Sequence, residues 1–456
     1  MPDLDLDHAL DSPLVVATLW GLGILMVLVL VREMRRIPAR LLVLMFSAFV
    51  DMVGLLMLVP LLPFYVQRLG GDGVRVLGLS LDTGLLTGVV IVAFTLAQSL
   101  SAPRWGRFSD RFGRRPTLLV ALGASAAGYL IFGFADSIAL LLLSRVVQGA
   151  GGGTVGVIQA YVADSTAPEQ RARALGWLSA ATNLGVALGP VLGSQAVKLG
   201  DVDLAPGSAT LQLGRAAPGV VAALLCVLNM VFAAVYLKES NTERAHDPQR
   251  PRVRTRAAML EVLTRIRLPS SRLILIYAVA IGAFQGIGGT MVLFLERHLG
   301  FTEETIGYLY MYIGAISVFT RVLLLGRMVD RFGEARLSRL GVLLLAAGML
   351  ALPFTTGLLS LALAVGMLPL GTAFTFPCVT SLLSRVIGQQ DRGLYMGLQQ
   401  TYGGLLKIVL PLMYGWAFDR LGISVPFFVA AALVLATLPL GVGMGRYARD
   451  AQEAAR

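Results

Sequence analysis

Four charged side chains interrupt segments that are otherwise apolar: Asp51, Arg145, Arg321 and Lys407. Asp51 lies in Phe46–Leu62, where an ionised carboxylate is costly and the neutral acid is favoured unless a cation lies nearby. A carboxyl group in that setting can carry a proton in one state and meet a cation in another, which is what proton coupling requires. A structural pairing of Asp51 within a helix bundle would satisfy the same cost. Arg145 comes seven residues after Ile138 and shares a helical face with Gln148, Gly149, Gly152, Gly156 and Gln159. Such a face avoids lipid and is expected to line an internal cavity, or else to let Arg145 hold the Asp51 carboxylate or a backbone carbonyl. Lys407 shares a face with Gln400, Gly404, Pro411 and Tyr414 in a chain with 3 lysines and 35 arginines. A compact ammonium at mid-segment can meet an anionic group or lose its proton.

Other patterns bear on packing and on conformational change. Gly185, Gly189 and Gly193 recur every four residues, with Pro190 among them. That flat stripe admits a second helix at close range, and the proline loosens the backbone hydrogen bonds. Gly106-Arg-Phe-Ser-Asp110-Arg111-Phe-Gly113-Arg114-Arg115 is a basic turn that can latch one conformation through charge-assisted bonds around Asp110. Asp164 and Glu169, on the next polar loop, are candidate partners. In the second half Gln285 stands beside the run Gly286-Ile-Gly288-Gly289, and Tyr308 and Tyr312 lie one turn apart with Met311. These are candidate substrate-cavity residues, although Tyr and Met are also ordinary packing residues. No acidic residue falls within a span interior of that half. The three histidines have no metal-ligand spacing, and the sequence contains no P-loop and no nucleophile–base pair.

The elements that position these residues are membrane helices. Of the residues 56% are hydrophobic and 14% charged, which excludes an ordinary soluble domain of this length. Twelve spans are expected at about 41–66, 83–102, 117–135, 138–163, 174–198, 216–237, 272–295, 303–325, 337–354, 358–384, 394–416 and 423–445, each long enough for about 30 Å of hydrocarbon. Of 38 Lys and Arg, 29 fall in alternate segments on one side and only 6 on the other: Arg68, Arg75, Lys198, Arg215, Arg297 and Arg420. The basic side is therefore cytoplasmic, and the net charge of +11 reflects orientation in a membrane rather than nucleic-acid binding. Residues 13–31 form a further apolar segment, preceded by Asp3, Asp5, Asp7 and Asp11 and followed by Arg32, Arg35, Arg36 and Arg40. These flanks are the reverse of a cleavable signal, so an extra helix with an outer N-terminus is expected, able to dock a partner. Residues 238–271 read as a basic cytoplasmic linker. A piece near 257–266 lies either on the inner leaflet or in solvent. Cys226 and Cys378 both fall within spans, so no disulfide framework is expected.

The basic turn returns 220 residues later as Gly326-Arg-Met-Val-Asp330-Arg331-Phe-Gly333. Gln170-Arg171 is echoed by Asp391-Arg392, and Pro190 by Pro411, at an offset of 221, so the chain reads as two homologous halves. The doubled turn resembles the loop between the second and third helices in each half of a major facilitator superfamily transporter. Ser47–Gly54 with Pro60-Leu-Leu-Pro63 resembles the first helix of tetracycline and drug/proton antiporters. Arg145-Val-Val-Gln148-Gly149 resembles their fourth-helix motif, and Gly189-Pro190 their fifth-helix antiporter signature. The resemblance covers about residues 40–445. It implies an all-α polytopic fold with an N-terminal region at 1–36, six-helix halves at 37–237 and 272–456, and the linker at 238–271.

The function it implies is proton-coupled antiport, exporting a small amphipathic compound by alternating access. Asp51 and Arg145 would couple protons, and the turns with Gly106, Asp110, Arg111, Gly113, Arg114, Asp330, Arg331 and Gly333 would form cytoplasmic latches. No cofactor is implied beyond the proton gradient, and the expected partners are lipid, protons and substrate, with the protein a monomer in a bacterial inner membrane. The second half lacks the buried His and Asp of tetracycline antiporters, which argues against tetracycline as substrate. Two other readings stay open. One is a uniporter or symporter for an anionic metabolite or lipid-like molecule recognised by Lys407, and the other is a non-transporting receptor on the same fold.

Overall fold

The computed structural model describes Gly21 and residues 39–447, except 72, 77–78, 153, 167–169, 200–212, 238, 240–252, 388–390 and 446. Apart from Gly21, the extra helix expected at 13–31, and any docking through it, lies outside the described residues. Among those residues ten helices are long and apolar enough to cross a bilayer. With Arg392–Arg420 and the shorter apolar stretch Val425–Gly441 they fill the twelve positions read from the sequence.

The first unit comprises Met1–Ala245 together with Val292–Val318. It opens with α1 (Ala39–Leu58), which gives way at Pro60 to a short 3-10 turn and then to α2 (Leu62–Gly70). Proline lacks the amide proton that the helical ladder needs, hence the local change of pitch. An antiparallel hairpin follows, β1 (Val74–Val76) paired with β2 (Leu79–Leu81), which the hydropathy pattern did not signal. Helices α3 (Thr83–Phe112), α4 (Arg114–Gly133), α5 (Ile138–Gly151), α6 (Thr154–Ser165), α7 (Arg171–Leu199) and α8 (Leu213–Tyr236) complete the first half. Within the unit α1 packs along α7, α8 covers α1 and α4, and α5 lies against α3 and α4. The C-terminal end of α10 (Pro269–Leu299) and most of α11 (Ile306–Phe319) also belong to this unit.

The second unit comprises His246–Met291 and Phe319–Arg456. It holds α9 (Val253–Thr264), the N-terminal part of α10, a π-turn at Thr320–Leu324, α12 (Leu325–Phe332), α13 (Glu334–Ala351), α14 (Leu358–Val386), α15 (Arg392–Arg420) and α16 (Val425–Leu435). Here α13 packs against α14 and α16. The linker piece α9 buries Ala258 and Val262, and Tyr402 Oη donates to the Met259 carbonyl at 2.6 Å. Tyr395 Oη donates to Glu261 at 3.0 Å, so this segment is docked on the start of α15.

Two expectations about local structure are corrected. The repeated basic turn is mostly helix: α3 runs through Pro103 to Phe112, and the chain changes direction only at Gly113, whose φ is 102°. Gly333 ends α12 in the same way at φ 75°. Both lie in the left-handed region that glycine enters without a Cβ penalty. The span expected at 138–163 is present as Ile138–Val162, but it is interrupted: the first helix stops at Gly151 and the next begins at Thr154, as the high backbone entropy of consecutive glycines favours.

Candidate functional site

Asp51 sits on the face of α1 turned into the first unit and is 7% exposed. Its Oδ2 accepts a hydrogen bond from Thr154 Oγ1 at 2.7 Å. Thr154 is the first residue of α6, so the glycine break that ends α5 is what delivers this hydroxyl to the carboxyl group. The hydroxyl suits both protonation states: it donates to a carboxylate and can turn to accept from the acid.

Arg145 on α5 is 1% exposed, with Cζ 5.2 Å from the centroid of the Phe132 ring. Its Nε and Nη2 find no acceptor among the described residues, and no ion pair joins it to Asp51. Among the described residues the two therefore stand as separate buried groups. The Tyr129 ring lies against Gly54, one turn from Asp51. Gln148 is 2% exposed and its backbone and Cβ lie against Gly128, beside Tyr129. Gln159 is exposed on α6, so the continuous face expected from Arg145 to Gln159 is interrupted at Gly152.

The glycine stripe on α7 lies directly on the Asp51 helix. A Cβ at Gly185 would stand 2.6 Å from the Phe49 carbonyl oxygen, and one at Gly189 2.8 Å from that of Val53. One at Gly193 would overlap the Met57 carbonyl. The two backbones thus run in contact along the whole segment that contains Asp51. Pro190, buried, sits within this contact on α7.

The other face of α7 takes up the start of α11. Gly307 abuts Pro190 and Ser194, and Gly314 abuts Ala187. Ser194 Oγ donates to the Glu303 carbonyl at 2.7 Å and accepts from the Gly307 amide at 3.0 Å. Around it Gln67 bonds Glu296 at 2.7 Å, Arg68 pairs with Glu303, and Lys198 lies 3.4 Å from Glu304. Tyr308 and Tyr312 belong here and not to a second-half cavity. Tyr308 is buried with Val191 and Met311, its hydroxyl accepts from Gln195 at 3.0 Å, and Tyr312 packs on the same cluster.

At the basic turn Arg114 pairs with Asp110 at 2.9 Å and bonds Ser109. The expected partners Asp164 and Glu169 have side chains outside the described residues. Another acid is in place, Glu239, whose carboxylate accepts from the backbone amides of Arg114 and Arg115 at 2.9 and 3.1 Å. It thereby supplies the first turn of α4 with the acceptor that helix N-termini lack. A Cβ on Gly113 would collide with it. In the second unit Asp330 and Arg331 are exposed, and Arg331 lies over the Phe332 ring at 5.6 Å. The acid engaged there is Glu334, bonded to Arg385 at 2.9 Å and Ser381 at 2.7 Å. Gln285 is exposed on an unbroken α10, where Gly286 makes room for the Tyr414 ring instead of breaking the helix.

The sequence profile of the Major Facilitator Superfamily matches residues 44–406, with a second match at 273–452. The chain belongs to the major facilitator superfamily. It is accordingly an integral membrane protein of a transporter family, not an enzyme. Among superfamily relatives, Multidrug resistance protein 2 of Bacillus subtilis (strain 168) is 26% identical over 406 residues, 87% of this chain and 93% of that protein. Tetracycline resistance protein, class B, of Escherichia coli is 25% identical over 371 residues, 81% of this chain and 86% of that protein. The crystal structure of the human organic anion transporter MFSD10 shares the superfamily fold with a TM-score of 0.64 at 23% identity, covering 89% of this chain and all of that one.

Sequence reasoning passed over Thr154 and Glu239. Each had a signal: Thr154 is the first polar residue after a triple glycine, and Glu239 is the first acid after the sixth span.

Proposed function

We propose that the protein is a proton-coupled antiporter that exports a small amphipathic compound by alternating access, with Asp51 as the proton-carrying group. The observation that carries this reading is a buried carboxyl group bonded to a neutral hydroxyl and, among the described residues, to no cation, on a helix packed backbone to backbone against the Gly185–Gly193 stripe. Such a group takes up or releases a proton without breaking an ion pair. Arg145, a buried cation with no anion among the described residues, supplies the charge that Asp51 answers in another state of the cycle. The relatives named for multidrug and tetracycline resistance support export as its direction. The driving force is the proton gradient, with no further cofactor. One proton entering down 100 mV supplies about 2.3 kcal/mol, enough for roughly a 40-fold concentration ratio of a neutral solute.

The test is substrate-dependent proton flux in proteoliposomes loaded with the pH indicator pyranine. Wild type is expected to move protons when a transported amphiphile is added, and Asp51→Asn to move none. Retention of that flux by Asp51→Asn sinks the proposal.

A further inference from the structure

The linker helix α9 carries apolar side chains on two opposite faces, and among the described residues the protein covers one of them. Ala258 and Val262, one turn apart, are buried. Tyr402 Oη donates to the Met259 carbonyl at 2.6 Å and Tyr395 Oη to Glu261 at 3.0 Å, which holds α9 on the start of α15. Further along, α15 carries Gln400, bonded to Tyr277 at 3.2 Å, and half-buried Lys407. Leu260 and Leu263 lie on the other side of α9, and with Ile266 in the turn that follows they are 64, 54 and 48% exposed. Exposed leucines are ordinary on a span, where lipid covers them, but α9 is not a span. Its 12 residues reach about 18 Å, short of the hydrocarbon core, and they include Arg254, Arg256 and Glu261.

Position and charge identify what covers this bare face. Residues 265–268 join α9 to α10, and the amides of Arg265, Leu268 and Arg272 bond the carbonyls of Glu261, Arg265 and Leu268 at 2.8, 3.0 and 3.1 Å. The connection is therefore folded, not extended. α10 is a membrane helix of 31 residues, about 46 Å long, so it begins in the headgroup layer and not in hydrocarbon. Ile266 stands no more than about 10 Å along the chain from its first residue. Arg265 and Arg267 are exposed beside the three apolar side chains. From Val253 to Leu268 the sequence has four arginines against one acid, Glu261, which pairs with Arg265 at 3.2 Å. Apolar side chains flanked by an excess of arginine at the edge of a bilayer complement a negatively charged lipid surface.

We propose that α9 and the turn into α10 form a docking surface for anionic phospholipid. Leu260, Leu263 and Ile266 enter the boundary between headgroups and acyl chains, while Arg265 and Arg267 bind headgroup phosphates. Arg265 does so without leaving Glu261, because a guanidinium has five N–H donors. The surface does not involve Asp51, and the proposal holds whether or not the protein moves protons.

The test is fluorescence quenching of bimane attached at Leu263→Cys, in the full chain reconstituted into phosphatidylcholine vesicles. Cys226 and Cys378, both buried, are replaced by alanine so that the label has one site. The vesicles receive increasing fractions of acyl-brominated phosphatidylglycerol or acyl-brominated phosphatidylcholine. The same label at Leu228→Cys, an exposed position on α8, reports the lipid around an ordinary span. At position 263 phosphatidylglycerol is expected to bind at least about fivefold more tightly than phosphatidylcholine, the effect of one arginine at an anionic surface. At position 228 no preference is expected. Arg265→Gln combined with Arg267→Gln is expected to abolish the preference at 263. Arg265→Lys combined with Arg267→Lys is expected to keep most of it, which separates lost charge from lost folding. No quenching by either lipid at 263, as a solvated linker or a second protein on this face would give, overturns the proposal. So does equal quenching by the two lipids, a preference matched at 228, or one that survives in the glutamine pair.

Discussion

Placing one methyl group at Gly193 tests whether α7 and α1 are in backbone contact. The Cβ of Gly193→Ala would meet the Met57 carbonyl oxygen and lie 2.8 Å from its carbonyl carbon and 3.0 Å from its Cα. Carbon and carbonyl oxygen pack no closer than about 3.3 Å, so the overlap with that oxygen makes α1 retreat by roughly 1 Å. Overpacking of this kind costs about 1–3 kcal/mol. The same helix contains its own control, since a Cβ at Gly176 meets nothing within 4 Å. Both substitutions gain the same helix propensity, about 1 kcal/mol, so the difference between them isolates the contact. At about 2 °C per kcal/mol for a chain of this size, Gly193→Ala is expected to unfold about 2–6 °C below Gly176→Ala in one detergent. Because Asp51 lies less than two turns from Met57 on the shifted helix, proton flux is expected to fall in the first variant and not in the second. Equal melting temperatures and equal flux in the two variants would refute the backbone contact.

Three further outcomes are expected. Glu239→Ala removes the acceptor for two backbone amides at the start of α4 and is expected to cost about 1–2 kcal/mol, the usual worth of a helix cap, as a lowered melting temperature. Ser194→Ala, which loses two buried hydrogen bonds, is expected to destabilise by about 1–3 kcal/mol, whereas Lys198→Ala at a largely exposed ion pair is expected to change stability by less than about 1 kcal/mol. Thermal unfolding of both variants ranks them, and the reverse order contradicts the packing described. Tyr402→Phe frees the Met259 carbonyl and is expected to speed tryptic cleavage at Arg265, read as fragment yield against time.

The twelve spans were legible because hydrocarbon selects for length and apolarity. Asp51, Arg145 and the glycine stripe were legible for the same reason, since charge and missing side chains stand out against apolar sequence. What joins them was not. Nothing in the spacing tells that Gly152 would break a helix and bring Thr154 to Asp51, because the contact spans 103 residues. Tyr308 and Tyr312 misled because a helical face of Tyr and Met reads alike whether it meets a cavity or another helix. Arg321 was visible as a charge inside a span, but the π-turn that presents it depends on packing that a hydropathy profile does not encode.

The contact between α7 and α11 has a consequence for biosynthesis. Ala187, Pro190 and Ser194 are covered by Gly307 and Gly314, which are translated more than a hundred residues later, after the linker and another span. The ribosome therefore releases the first six helices with one groomed surface still bare, and the insertion machinery or lipid has to shield it until α11 arrives. A fragment ending at the linker would carry that bare surface permanently. It would be expected to self-associate or be degraded, and co-expressing the remainder of the chain as a separate polypeptide would rescue it.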